Sequence, residues 1–147
     1  MTVTKLDTKR FTIEPGHIVY VQVPEPQARE LIGTVCGAAG LEYGDYDQVA
    51  FTTASGVQQF RSLGTGRNAA TEGTVEVPCV EVSFFVEGDE EKLTTVLEAV
   101  YHIHPYEEPV AYVVPGSRTL HVRGMDEDNP NRFWNREPQD WVPQEHR

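Results

Sequence analysis

The side chains best suited to chemistry lie in one octapeptide, His102-Ile103-His104-Pro105-Tyr106-Glu107-Glu108-Pro109. Imidazole, phenol and carboxylate groups together can ligate a divalent metal, relay a proton or hold a small polar ligand. Pro105 disfavours helical geometry at His104, and Pro109 restricts the far end. The side chains between the prolines therefore have little conformational freedom, which favours binding. The alternative is a rigid turn in which His102 caps a helix and the glutamates are solvated.

Composition limits the classes of partner. The chain has 147 residues, which suits one domain with a proper core. Its formal net charge is -11, and its pI is about 4.8. Binding to nucleic acid or to an anionic membrane requires clustered Lys and Arg, so we expect neither partner.

The location of the protein is predicted from what the sequence lacks. No apolar run approaches the length of a membrane span, and the N-terminus has no hydrophobic block followed by a cleavage site. We therefore expect a cytoplasmic protein. Cys36 and Cys79 fall in segments that read as helix and strand, so we expect buried apolar thiols rather than a disulfide or a metal pair.

Two amphipathic helices are predicted to position the octapeptide. The first has Pro26 in its opening turn and ends at Gly40, with apolar residues at helical spacing: Ala28, Leu31, Ile32, Val35 and Ala39. The second starts at an Asp89 N-cap and ends near His102, because Pro105 follows. Its predicted buried stripe is Leu93, Val96, Leu97 and Val100.

Strands are predicted before, between and after these helices. The β-branched run 17–23 is a strand, and 80–86 alternates cleanly, with Val80, Val82, Phe84 and Val86 on one face. Residues 49–53 and 57–61 are predicted to form a hairpin around Ala54-Ser55-Gly56. A final strand covers 110–114. Glu14-Pro15-Gly16 reads as a turn after a possible edge strand at 11–13.

This order is a doubled βαβ pattern with a hairpin between its halves. It predicts an α+β sandwich of the ferredoxin-like type, with two helices on one face of an antiparallel sheet. The other sheet face has no predicted cover, although residues 80–86 are apolar on both faces. A second copy is the natural cover, so we predict a homotrimer or another closed homo-oligomer.

Three segments are predicted along the chain: an N-terminal extension (1–16), the ferredoxin-like domain (17–116), and a Trp- and Pro-rich acidic tail (117–147). Disordered tails are usually poor in aromatic residues. We therefore expect Phe133, Trp134 and Trp141 to dock on the protein itself or on a neighbour. The alternative is a loose tail that awaits a partner.

A glycine-rich stretch, residues 64–73, invites comparison with phosphate-binding loops. Those loops need a helix directly after them, so that amide groups at the helix start face the phosphate. Here a strand follows. The stretch is therefore either a weak candidate nucleotide loop or a mobile or ligand-covering loop.

Three stretches together resemble a known family: 38–51, the loop 60–73, and above all His104-Pro105-Tyr106-Glu107-Glu108-Pro109-Val110-Ala111-Tyr112. They resemble the YqfO-type insertion domain, which occurs inside many members of the Ngg-interacting-factor family and also as a stand-alone protein. That domain is similar in fold to the trimeric CutA and PII proteins. The resemblance covers about residues 17–116. It implies a ferredoxin-like fold, self-association through the sheet, and a role in regulation or in small-ligand or metal binding.

The site prediction follows from the doubled fold. We expect His104, Tyr106, Glu107 and Glu108 to be ligand-binding residues in one polar pocket, with His104 and Glu107 as candidate ligands for a divalent metal ion. The connection at 41–47 is related to the octapeptide by the pseudo-twofold of the two halves. Across an oligomer interface it would bring Tyr43 or Tyr46 beside the pocket.

Three functions remain open from the sequence. The first is an oligomeric binding module of regulatory type without a reaction, since no nucleophile has a plausible base beside it. The second is a small metal-dependent enzyme in which His104 is ligand or base and Glu107 or Glu108 assists. The third is a nucleotide sensor that uses the loop 64–73. Of these, the non-enzymatic binding module is favoured.

Overall fold

The computed structural model describes residues 3–137 and 145. Two helices, α1 and α2, cover Glu25–Ala39 and Glu90–Ile103. The strands β1 to β5 are Phe11–Val23, Phe51–Thr52, Gly56–Phe60, Val75–Glu87 and Val110–His121. A short 3-10 helix, Phe133–Asn135, lies after them.

The strands form one antiparallel sheet in the order β2-β4-β1-β5, with β3 also paired to β4. This is the ferredoxin-like arrangement with β2 and β3 sharing the place of one edge strand, so the predicted α+β fold is confirmed. Gly40 ends α1 with a positive φ of 71°, and the Asp89 side chain accepts from Lys92 N at the start of α2. Both helix ends agree with the sequence prediction.

The core lies between the helices and one face of the sheet. The alternating side chains of β1 and β4 meet the apolar stripes of α1 and α2 there, as the periodicity predicts. Its most buried members are Val19, Val21, Val23, Leu31, Val35, Val82, Val86, Val96 and Val100. The opposite side of the sheet, here called the open face, carries no helix among the described residues.

The predicted hairpin between residues 49–53 and 57–61 is wrong. Both β2 and β3 pair with β4, with Thr52 opposite Val82 and Gly56 opposite Cys79. Four residue steps from Thr52 to Gly56 therefore lie opposite three residue steps on β4, from Val82 to Cys79. This mismatch is a β-bulge. Thr53 holds the bulge, since its N–H donates to Glu81 O and its hydroxyl accepts from Glu81 N. The chain bends at Ala54-Ser55 without reversing, because β4 offers a partner on both sides of the bend.

The predicted turn at Glu14-Pro15-Gly16 is also wrong, because all three residues lie inside β1. β4 ends opposite Gly16, so Pro15 lies where β1 has a neighbour on one side only. That position tolerates a missing backbone donor. The β1–β5 pairing continues to Phe11 opposite His121, beyond the predicted boundaries at 16 and 116.

The segment after β5 lies against the start of β1. The Arg10 guanidinium contacts the Met125 carbonyl and the Asp126 carboxylate. The Trp134 indole donates to Glu127 O at 3.0 Å, and its ring meets Phe133 edge to face. Both rings stay about half exposed. Trp141, the third aromatic residue predicted to dock, lies outside the described residues.

Within the part of the chain that the structure describes, no helix is long and apolar enough to cross a membrane.

Candidate functional site

His104 ties the octapeptide to the sheet. It follows α2 in extended geometry, and its residue is only 8% exposed. Its Nδ1 accepts from Tyr106 N at 3.1 Å, so the ring proton lies on Nε2, which donates to Gln22 O at 2.6 Å. Both ring nitrogens therefore bond backbone groups in the neutral imidazole. The His102 side chain, by contrast, is 76% exposed and lies 3.9 Å from Glu98.

Tyr106 packs its ring on the His104 ring, with the centroids 4.8 Å apart. Burial raises the pKa of the Tyr106 phenol, and the nearby Cys79 thiol adds to the shift. The phenol therefore stays protonated at neutral pH and can donate a hydrogen bond. Cys79 and Cys36 are both free, and burial followed by the charge of Asp47 raises the pKa of Cys36. Cys79 is buried, whereas Cys36 is only partly buried. The raised pKa makes the Cys36 thiol less reactive.

The glycine-rich stretch forms a closed loop. Thr71 N donates to Ser62 O at 3.1 Å, and Ser62 N donates to the Thr71 hydroxyl at 2.9 Å. The Ser62 hydroxyl also bonds Asn68 O and accepts from Gly64 N. Gly64 has a φ of 78°, which strongly favours glycine. We call residues 62–71 the clamp loop.

Glu107 joins the clamp loop to the octapeptide. Its Oε1 accepts from Arg67 N at 2.9 Å. A Cβ on Gly66 would lie 2.9 Å from Glu107 Oε1 and 3.1 Å from Oε2. The close approach of the carboxylate therefore depends on glycine at position 66.

A cleft of about 520 Å³ opens between the clamp loop, the octapeptide and the open face. Gln58, Val77 and Val110 lie on the sheet side of it, and Gln58 donates to the Gln22 side chain at 2.7 Å. Its lining combines apolar and polar groups, which is the usual make-up of a small-ligand site. The other lining residues are Phe60, Arg61, Ser62, Leu63, Gly64, Thr65, Gly66, Asn68, Pro105, Tyr106, Glu107 and Glu108.

The structure thus brings Tyr106, Glu107 and Glu108 together at one cleft, while His104 lies behind them. Tyr43 and Tyr46 lie elsewhere in the protomer. Tyr43 OH is 3.3 Å from the Thr119 hydroxyl, nine positions along β5 from Val110, or roughly 30 Å at strand spacing. Their predicted approach across an oligomer interface stays a prediction.

Tyr43 instead covers a buried arginine. The Arg118 guanidinium stacks on Tyr43 at 4.7 Å and on Phe85 at 4.6 Å, and its Nη1 donates to Glu42 O. It also lies 3.4 Å from Glu14. This cation–π sandwich anchors the connection after α1 to the sheet.

Sequence patterns did not identify Gln58 and Arg61 as cleft residues, or the contact between Arg67 N and Glu107. The glycines of residues 64–73 were a visible signal, and the sequence left open a nucleotide loop or a mobile or ligand-covering loop. Their observed role is to let a carboxylate from a segment 40 residues away approach the backbone. That partner is set by tertiary structure.

The His104 ring does not fit the role of metal ligand in this arrangement, because each of its nitrogens already serves a backbone group. Among residues 3–137 and 145, no group of three or more His, Cys, Asp or Glu side chains is placed to hold a metal ion. The metal pair of His104 and Glu107 stays a prediction from the sequence.

Comparison with known proteins bears on the fold. No protein-family model matches the chain, and no curated protein matches it at a significant level. Solved structures do. A Bacillus cereus protein related to NIF3 superposes with a TM-score of 0.59 at 24% identity, over 70% of this chain and 26% of that one. The chain has the fold seen in NIF3-related and CutA proteins.

The CutA matches are weaker in sequence but cover most of each partner. CutA1 from the psychrotrophic bacterium Shewanella has a TM-score of 0.51 at 14% identity, over 69% of this chain and 82% of that one. The divalent cation tolerance protein from Thermus thermophilus superposes with a TM-score of 0.50 at 18% identity, over 67% of this chain and 82% of that one. The chain spans about a quarter of the NIF3-related protein. At these identities the likeness establishes the fold.

Proposed function

We propose that the protein is a self-associating module that binds a small ligand in the cleft and serves regulation rather than a reaction. The observation that carries this proposal is the hydrogen bond from Arg67 N to Glu107, which joins the clamp loop to the octapeptide over the cleft. It supports a ligand-responsive site, because whatever binds the Glu107 carboxylate also acts on the clamp loop.

Self-association is proposed through the open face. Phe51, Ser83, Tyr20 and Tyr112 lie in register across the four strands of this face. Phe51 is 65% and Tyr112 56% exposed, and Val114 beside them is 44% exposed. Contiguous exposed apolar groups favour contact with another surface. Among the described residues the sheet has two different edges without a neighbouring strand, β2–β3 and β5, so that a heterologous contact between copies can close into a ring.

The ligand proposal is tested by mapping fragment binding on the ¹⁵N-labelled protein. A panel of small polar aromatic fragments is added at millimolar concentration, and amide shifts are recorded by NMR. Shifts are expected to cluster in the clamp loop and at Tyr106–Val110, because these backbones line the cleft. Shifts confined to other surfaces, or none at all, would contradict the proposal.

The metal-dependent alternative needs its own titration. Because the Thermus thermophilus neighbour is a divalent cation tolerance protein, divalent cations are the ions to test. Zinc, copper and manganese are titrated by calorimetry into wild type and His104→Gln. A metal enzyme centred on His104 requires tight binding that the substitution abolishes. We expect no His104-dependent binding, because a metal would have to replace the bond to Gln22 or the one to Tyr106.

The nucleotide alternative has less support from the geometry. In a phosphate loop the backbone amides face the anion. Here the Arg67 amide already donates to Glu107, and Glu108 lines the same cleft. A phosphate would have to displace the Glu107 carboxylate from the Arg67 amide and lie near the like-charged carboxylate of Glu108.

A further inference from the structure

The charged groups of the cleft are unevenly placed. Glu107 and Glu108 come from one turn, and Arg61 comes from the end of β3. Only Oε1 of Glu107 accepts from the clamp loop, so Oε2 remains available to a second donor. Carboxylate oxygens are acceptors only, and they favour a charged donor.

Apart from these charged groups, the cleft is lined by both apolar and polar side chains. Its apolar part is formed by Phe60, Leu63, Val77, Pro105 and Val110, with the aromatic Tyr106 beside them. A ligand that satisfies both parts carries a compact cationic donor on a flat apolar body.

We propose, building on the ligand-binding function above, that the cleft selects a small organic cation, namely an amine, amidine or guanidinium on a planar apolar group. Glu107 binds the cation through its carboxylate. The clamp loop responds, because the same carboxylate holds Arg67 N and lies against Gly66. The cation therefore changes the surface at residues 62–71.

The test uses three probes of one shape and different charge: benzylamine, benzyl alcohol and benzoate. Each is titrated into the ¹⁵N-labelled protein and followed at the Gly64, Gly66 and Arg67 amides. Benzylamine is expected to bind about fivefold more tightly than benzyl alcohol, the factor typical of one partly exposed charge pair. Benzoate is expected to bind more weakly than either.

The variant Glu107→Gln keeps an oxygen for Arg67 N and removes the charge. It should remove the about fivefold preference for benzylamine over benzyl alcohol. Glu30→Gln, an exposed carboxylate on α1, is the matched control and should bind all three probes as wild type does. Its behaviour separates a local effect from a change in net charge.

The possible results distinguish a failure of the cation preference from a failure of the proposed ligand-binding function. If no probe shifts the cleft amides, the ligand-binding function fails together with the cation proposal. If benzyl alcohol or benzoate binds as tightly as benzylamine, the ligand site stands and the cation preference is overturned. A Glu107→Gln variant that weakens all three probes equally also overturns it, because the carboxylate would then act only on loop structure.

Discussion

At the scale of single residues, the octapeptide contains two histidines with different roles. His104 is buried with both nitrogens bonded, whereas His102 lies on the exposed side of α2. The residue types alone do not distinguish them. The difference arises because Pro105 turns the chain after His104 toward Gln22 of β1.

His104→Ala is expected to lower the free energy of unfolding by about 2 kcal/mol, because Gln22 O and Tyr106 N lose their partner in a buried place. Urea denaturation of the variant and of wild type measures this difference in the free energy of unfolding. His102→Ala is the matched control and should stay within about 0.5 kcal/mol of wild type. Equal effects for the two variants would contradict the structural role of His104.

Glu87 is expected to make stability depend on pH. Burial alone would raise its pKa, but the bonds and charges of Lys92 and Arg118, with a backbone bond, outweigh burial and lower the pKa below its ordinary 4.5. A carboxyl with a lowered folded-state pKa stabilises the protein above its unfolded pKa, and this stabilisation is lost as pH falls through the folded value.

Urea denaturation at pH 7 and stepwise below 4.5 checks this effect. Glu87→Gln should lose part of the stability at pH 7 and show a shallower decline in acid than wild type. The control Glu76→Gln changes an exposed carboxylate on the same strand and should keep the wild-type decline. An unchanged acid decline in Glu87→Gln would argue against the prediction.

At the scale of elements, the clamp loop and the octapeptide act as one unit. The loop closes through Ser62 and Thr71, and its tip is held by Glu107. Residues 62–71 and the octapeptide after Ile103 lie outside the helices and strands. Their order relative to each other therefore depends on this contact.

Gly66→Ala is expected to separate the clamp loop from the octapeptide, since the added Cβ would lie 2.9 Å from the Glu107 carboxylate, whose side chain can move away. Amide hydrogen exchange at Arg67 should become about fivefold faster, in line with the loss of one hydrogen bond. Gly73→Ala is the matched control, because a Cβ there meets nothing within 4 Å. An unchanged exchange rate of the Arg67 amide in Gly66→Ala would contradict the proposed contact between the clamp loop and Glu107.

At the scale of the whole molecule, the open face is the surface through which we propose that the protein self-associates. One face of the sheet is covered by α1 and α2, and the open face carries exposed aromatic residues. We propose that a second copy covers this surface, because exposed apolar groups favour contact with another surface.

Tyr112→Glu is expected to convert the oligomer to a monomer, since it places a charge in the apolar row of the open face. Light scattering after size-exclusion chromatography measures the mass. Tyr101→Glu makes the same change on α2, where Tyr101 is 64% exposed, and should leave the mass unchanged. A monomeric wild type at micromolar concentration would refute self-association.

The sequence by itself determined the two helices, the alternation in β4 and the ferredoxin-like order, because these depend on neighbours within a few residues. Prolines and glycines marked the helix ends for the same local reason. The hairpin between β2 and β3 and the turn at Pro15 were wrong, because strand pairing depends on which partner is available, and that is not local.

Only the tertiary structure decided what the octapeptide side chains do. The bond from His104 to Gln22 spans 82 residues, and that from Arg67 to Glu107 spans 40. No pattern in either segment identifies its partner. The residue types established that polar groups are held at one place, and the packing of α2, β1 and the clamp loop then assigned His104 to structure and Glu107 to the cleft. The physical reason is that helices and turns depend on adjacent residues, whereas a site depends on distant segments that the core brings together.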